Sequence, residues 1–157
     1  MKDNIKNYAV SILIALAVGG FSALLTSGNM NLYSEITKPA LAPPSILFPI
    51  VWTVLYALMG ISAAVIYNEK ESNPDKVKSA LTVYGINLFL NFFWSILFFN
   101  MRAFLFSFIW LVALWGVILV MIVSFYKIKP IAGILQIPYL IWVTFAGYLN
   151  LSIFLLN

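Results

Sequence analysis

Charged residues divide this chain into five long apolar stretches. They occur only at Lys2, Asp3, Lys6, Glu35, Lys38, Glu69, Lys70, Glu71, Asp75, Lys76, Lys78, Arg102, Lys127 and Lys129. The runs between them cover about Tyr8 to Thr26, Leu47 to Tyr67, Ser79 to Phe99, Ala103 to Tyr126 and Ile131 to Leu156. A helix rising 1.5 Å per residue needs about 20 residues to cross a hydrocarbon core about 30 Å thick, and each run is close to or above that length. A β-barrel would instead alternate apolar and polar positions over segments of about 10 residues. Runs such as LFLNFFWSILFF, residues 88–99, do not alternate. Only helices and closed barrels satisfy their backbone in lipid, so the pattern predicts an all-α membrane protein, a five-transmembrane-helix bundle formed as one domain over 1–157.

The connection after the first run, 27–46, is far longer than the 2–8 residues or so that join neighbouring helices, and such loops usually have a task. From Lys38 to Tyr56 the chain reads KPALAPPSILFPIVWTVLY, with four prolines, one lysine and three aromatics in nineteen residues. Pro39, Pro43, Pro44 and Pro49 restrict their own φ and disfavour helix for the residue before each, which predicts a stiff, extended lid. A stiff lid loses little entropy when it closes over a ligand.

Composition agrees with lipid surroundings. Of 157 residues, 63% are hydrophobic and 9% charged, with a mean hydropathy of +1.00; a soluble domain carries roughly 25% charged residues. The first run follows Lys2 and Lys6 and contains Ala15-Leu16-Ala17, as a cleaved signal would, but it continues past the 7–15 residues or so of a signal core and reads as a retained span. Alternating sides along the chain puts Lys2, Lys6, Lys70, Lys76, Lys78, Lys127 and Lys129 on one face of the membrane and only Lys38 and Arg102 on the other. Seven against two predicts a multi-pass protein of the plasma membrane with the N-terminus cytoplasmic, and the C-terminus and proline-rich loop outside. The same lysines account for a pI near 9.4 through topology and anionic headgroups, so no nucleic-acid partner is expected.

The sequence has no Cys and no His, which excludes thiol catalysis, disulfides, Cys/His zinc sites and imidazole acid–base chemistry. No metal site is expected, and no cofactor is required. No ionisable Asp, Glu, Lys or Arg lies well inside a span, which disfavours proton- or ion-coupled transport. The remaining site chemistry is aromatic, amide and hydroxyl, with 13 Phe, 8 Tyr and 5 Trp. That inventory suits a flat apolar ligand held by stacking and oriented by a few polar contacts.

Three faces bear such groups. In the third run Tyr84, Asn87, Asn91 and Ser95 share one side of a helix, which should point into the bundle. The amides either bridge helices or border a cavity. In the second run Trp52 and Tyr56 lie one turn apart, continued by Gly60 and Ala64; in the fifth, Trp142, Ala146 and Asn150 repeat that spacing. The small residues either bring helices into close contact or leave room for a guest. Interfacial belts explain Tyr8, Tyr67 and Tyr126 at span ends. Trp142, about 12 positions into its run, lies near mid-membrane at 1.5 Å per residue. Depth counting thus predicts a cavity running inward from Trp52 to Asn91, Ala146 and Trp142, beneath the loop.

Read together, Tyr33, Lys38-Pro39, Pro43-Pro44, Phe48, Trp52-Thr53, Tyr56, Gly60, Asn87, Asn91, Trp94-Ser95, Phe98-Phe99, Pro138-Tyr139, Trp142, Phe145-Ala146, Tyr148-Leu149-Asn150 and Asn157 resemble the translocator proteins, also called tryptophan-rich sensory proteins or peripheral-type benzodiazepine receptors (TspO/MBR). The resemblance covers essentially the whole chain. It implies a five-helix bundle, commonly a homodimer, that binds porphyrins such as protoporphyrin IX and hydrophobic drugs under the first loop. Ligand contacts would fall on Tyr33, Trp52, Tyr56, Asn87, Asn91, Trp142 and Ala146. Light-dependent protoporphyrin degradation, attributed to some members, would implicate Trp52 and Trp142 as catalytic residues. Leu32 and Leu41 stand where many relatives carry Trp, which implies weaker stacking in the lid. The sterol-recognition pattern near the C-terminus lacks the Lys or Arg expected after Tyr148, so sterol binding is not expected. The expected function is therefore a membrane receptor or sensor for porphyrin-like ligands. The alternatives are light- and oxygen-dependent porphyrin degradation, and transport of such solutes.

Overall fold

The computed structural model describes residues 2–157, and among these it contains helices and their connections but no strand. The elements are α1 (Lys2–Thr26), α2 (Leu32–Glu35), α3 (Leu47–Tyr67), α4 (Pro74–Ser95), α5 (Phe104–Ile128), α6 (Pro130–Ile134) and α7 (Ile137–Leu156). A 3-10 turn, Ser27–Asn29, prolongs α1, and a π-helical turn, Ile96–Asn100, prolongs α4. Five helical stretches are long and apolar enough to cross a bilayer: Lys2–Asn29, Leu47–Tyr67, Pro74–Asn100, Phe104–Ile128 and Pro130–Leu156. They coincide with the five apolar runs, and the first and third reach further into the charged flanks.

Pro74 and Pro130 open α4 and α6 in the first turn, where a missing N–H costs no helical bond. Pro138 acts differently. It cannot donate to the carbonyl four residues earlier, and its ring crowds that turn. The fifth span is accordingly broken at Leu135-Gln136 into α6 and α7, where the apolar run alone reads as one helix.

α1 packs most extensively on α3. The reason is Gly60: a Cβ there would fall 2.5 Å from the Ile12 Cα, and the Ser11 hydroxyl donates to the Gly60 carbonyl at 2.7 Å. Of the two roles open to small residues, Gly60 therefore serves close helix contact. α5 packs against α4, α6 and α7 with Leu111, Leu114, Ile118, Met121 and Phe125 facing inward, all at most 2% exposed. Its other side, including Ile109, Val112 and Val120, is exposed and faces the space that lipid fills. α4 and α7 run in the same direction but do not pack backbone to backbone; long side chains span the gap between them.

The 27–46 connection is ordered but not extended. After α2 the prolines build two turns, closed by Ala42 N–H to Pro39 O at 3.1 Å and Leu47 N–H to Pro44 O at 3.0 Å. Proline fixes φ but leaves ψ free to turn the chain, so the segment turns where an extended shape was expected. Leu32 is 1% exposed and packs with Phe98 and Ile153. It anchors the loop to the ends of α4 and α7, whereas Leu41 is exposed. Polar ties complete the attachment. Asn157 brackets Thr37, accepting from its N–H and donating to its carbonyl, both at 2.9 Å. Arg102, held at φ 50°, pairs with Glu35 at 3.1 Å, and Asn29 donates to Asn100 at 2.8 Å.

Candidate ligand site

α3 presents Phe48, Trp52 and Tyr56 at successive turns on one face, and the antiparallel α7 meets them in register. Phe48 packs edge-on to Trp142 with centroids 5.9 Å apart, and Trp52 packs edge-on to Tyr139 at 6.2 Å. Trp52 and Tyr56 lie 5.8 Å apart, and Trp142 continues to Phe145 at 5.6 Å. Such edge and tilted contacts align the positive rim of one ring with the negative face of the next. The loop joins this wall through Tyr33, whose ring meets Phe48 at 5.2 Å and whose hydroxyl donates to the Pro43 carbonyl at 2.6 Å. Partial burial raises the Tyr33 phenol above its ordinary pKa. Lys38 sits over the outer face of the same ring, 4.7 Å from its centroid.

Behind the aromatic wall lies a hydrogen-bonded relay across the gap between α4 and α7. Asn91 Nδ2 donates to the Tyr139 hydroxyl at 2.8 Å, and that hydroxyl donates to Asn87 Oδ1 at 2.7 Å. The remaining Asn87 donor faces the Met59 sulfur at 3.9 Å, a weak acceptor. Asn87 and Asn91 are 0% and 2% exposed. Their amides thus bridge helices, as one of the two sequence readings had it, and they stand directly behind the wall. Closer to the loop, Asn150 accepts from Trp94 Nε1 and from the Ser107 hydroxyl, both at 3.1 Å, and donates to the Phe104 carbonyl at 2.8 Å. Those bonds commit Asn150 to packing.

Trp142 differs from its neighbours in one respect. Its indole Nε1 is buried and has no hydrogen-bond partner. The indoles of Trp94, Trp110 and Trp115 each donate to an acceptor: Asn150 Oδ1, the Leu90 carbonyl and the Thr144 hydroxyl. A buried donor left unpaired loses the water it would otherwise bind, a penalty of about 1–3 kcal/mol. Ala146, one turn further along α7, is 6% exposed and leaves a short side chain beside this donor.

Trp52, Tyr56, Asn87, Asn91, Trp142 and Ala146 therefore gather between α3, α4 and α7, and Tyr33 reaches their edge from the loop. Sequence reasoning did not single out Tyr139 as a site residue, although it joins the amides to the wall. Its signal was available: a polar residue in an apolar run, three positions before Trp142 and seven before Ala146.

A polytopic helical membrane protein whose interior is neutral, aromatic and amide-lined, under a tethered loop, is the class these features define. Residues 11–156 match the TspO/MBR family, and the chain belongs to that family. It is 35% identical over 158 residues to the tryptophan-rich protein TspO of Chlorobaculum tepidum, covering 100% of this chain and 99% of that protein. The tryptophan-rich protein TspO of Archaeoglobus fulgidus is 36% identical over 155 residues, at 98% and 99% coverage. The translocator protein of Sus scrofa is 31% identical over 144 residues, at 90% and 85%.

Proposed function

We propose that this protein is a membrane receptor or sensor for flat hydrophobic aromatic ligands, porphyrins of the protoporphyrin IX type foremost. The ligand would stack against Phe48, Trp52 and Trp142, beside Tyr56 and Ala146, with the 27–46 segment as its cover. One observation carries this reading: the Trp142 N–H is buried without an acceptor in a wall of packed aromatic rings. A pyrrole nitrogen or peripheral carbonyl of a guest would supply that acceptor. The neutral surroundings suit the uncharged ring of a porphyrin, with the propionates of protoporphyrin IX left at the open edge in water, since a desolvated charge would need a partner. Titration with protoporphyrin IX in lipid nanodiscs, read by tryptophan fluorescence, is expected to show saturable quenching at micromolar concentration or below. Quenching that only follows partition into empty nanodiscs would refute the reading.

We place the loop face outside the cytoplasm, from the lysine distribution, and expect a homodimer in the plasma membrane. A cysteine at exposed Leu41 should then label from outside only, and cross-linking in native membranes should trap a dimer. A second reading rests on the two indoles of the wall: with light and oxygen, Trp52 and Trp142 would donate electrons to excited porphyrin and promote its degradation. Bleaching should then slow several-fold in Trp142→Phe and Trp52→Phe. Equal rates in both variants and in protein-free lipid would leave binding alone.

A further inference from the structure

Gln136 is 0% exposed, and neither Nε2 nor Oε1 of its amide has a hydrogen-bond partner in the protein. The Tyr84 hydroxyl is likewise buried and unpartnered. These groups share one level of the bundle. α4 and the fifth span run in parallel, and the Asn87–Tyr139 bond sets their register. Three residues back along each helix lie Tyr84 and Gln136, about 4.5 Å nearer the lysine-rich end at 1.5 Å per residue. The third wall agrees. Phe48 meets Trp142 and Trp52 meets Tyr139, so the next turn of antiparallel α3 brings Tyr56 to the level of Gln136. Beyond this level, Ser62 donates to the Ala132 carbonyl and closes this end. α4 and α7 have little direct backbone packing along their length.

We propose that Tyr84 and Gln136 form an internal hydration site, distinct from the aromatic wall, that holds an ordered water. A water needs two to four polar partners to be stable inside a protein. Gln136 supplies a donor and an acceptor, and the Tyr84 hydroxyl supplies a third contact that can act as either. A single water can accept from Gln136 Nε2 while donating to Gln136 Oε1 or to Tyr84. The break at Pro138 makes the site possible, because it lets Gln136 open α7 with its side chain turned into the core. The site extends the Asn91–Tyr139–Asn87 relay by one turn, so a polar line runs through the half of the bundle nearest the lysines, where the sequence reads as continuous apolar span. The same i, i+3 ladder on α7 carries Gln136, Tyr139 and Trp142. Its middle member is satisfied by protein, its lower member by water, and its upper member is the donor left for a guest.

The test is water-selective magnetisation transfer to the Gln136 side-chain amide, observed by NMR on the full chain in nanodiscs of deuterated lipid without ligand. A direct water cross-peak is expected in the native protein, and in Tyr84→Phe it should persist at roughly half its intensity. Absence of the cross-peak in the native protein would overturn the proposal, because the amide would then be dry or bonded directly to Tyr84. Complete loss in a folded Tyr84→Phe would also overturn it, as the sign of magnetisation relayed from the hydroxyl proton. Should Tyr84→Phe fail to fold, the native spectrum decides alone. None of these outcomes depends on whether porphyrin binds.

Discussion

The inward faces of α5 and α7 are buried alike and built from different chemistry. On α5, past the buried Ser107 near its start, Leu111, Leu114, Ile118, Met121 and Phe125 form an apolar seam. On the fifth span the buried positions are Ala132, Gly133, Gln136, Tyr139, Val143, Ala146, Leu149, Asn150 and Ile153, where polar and small residues are interspersed with apolar ones. Lipid tails are as apolar as leucine, so an apolar seam gains no transfer energy from turning inward; it is held by packing. A polar group does gain, because its alternative is hydrocarbon. The α5 seam thus stabilises the bundle, while the α7 face sets its internal register and leaves two unsatisfied donors, on Gln136 and Trp142.

That contrast can be broken from either side. Leu114→Ala, at a position 0% exposed, should cost about 2 kcal/mol of stability from the cavity alone. Denaturant unfolding in detergent would show this, and the residual folded protein should keep its porphyrin affinity. Tyr139→Phe should cost less, about 1 kcal/mol, because two interhelical bonds are lost and the membrane moderates their worth. Its ligand affinity should fall with the stability, since the amides of Asn87 and Asn91 lose the partner that fixes them behind the wall. A larger effect of Tyr139→Phe than of Leu114→Ala on stability would reverse the division of labour. Val112→Ala, on the exposed side of α5, should lie within about 0.5 kcal/mol of the native protein.

The same contrast explains what could be read from the chain. Charge spacing located all five spans, because a lysine or glutamate in hydrocarbon is costly and marks every boundary. The stripe of Tyr84, Asn87, Asn91 and Ser95 was legible for the same reason; its first three members are buried inside the bundle, and Ser95 is half-buried. Which side of α5 faces the core was not legible: Leu114 and Val112 are equally apolar, and only packing separates them. The role of Gly60 was ambiguous until the Ile12 backbone appeared beside it. Pro138 was visible, but a run of apolar residues does not reveal that a proline has broken its helix. Gln136 was overlooked as a lone polar residue in an apolar run, and its importance comes from what stands opposite on α4. In the loop, the prolines were read as giving an extended lid, and they build turns instead. Their turns and the burial of Leu32 depend on where Phe98 and Ile153 end, which no local pattern records.

The most direct test of the ligand site is the indole 15N–1H spectrum of the protein in nanodiscs as protoporphyrin IX is added. The Trp142 resonance should shift saturably as its N–H gains an acceptor, with a smaller ring-current shift at Trp52. The resonances of Trp94, Trp110 and Trp115, whose donors are already occupied, should stay in place. A stationary Trp142 signal, or five indoles drifting together in proportion to porphyrin in the lipid, would contradict a ligand site at this wall.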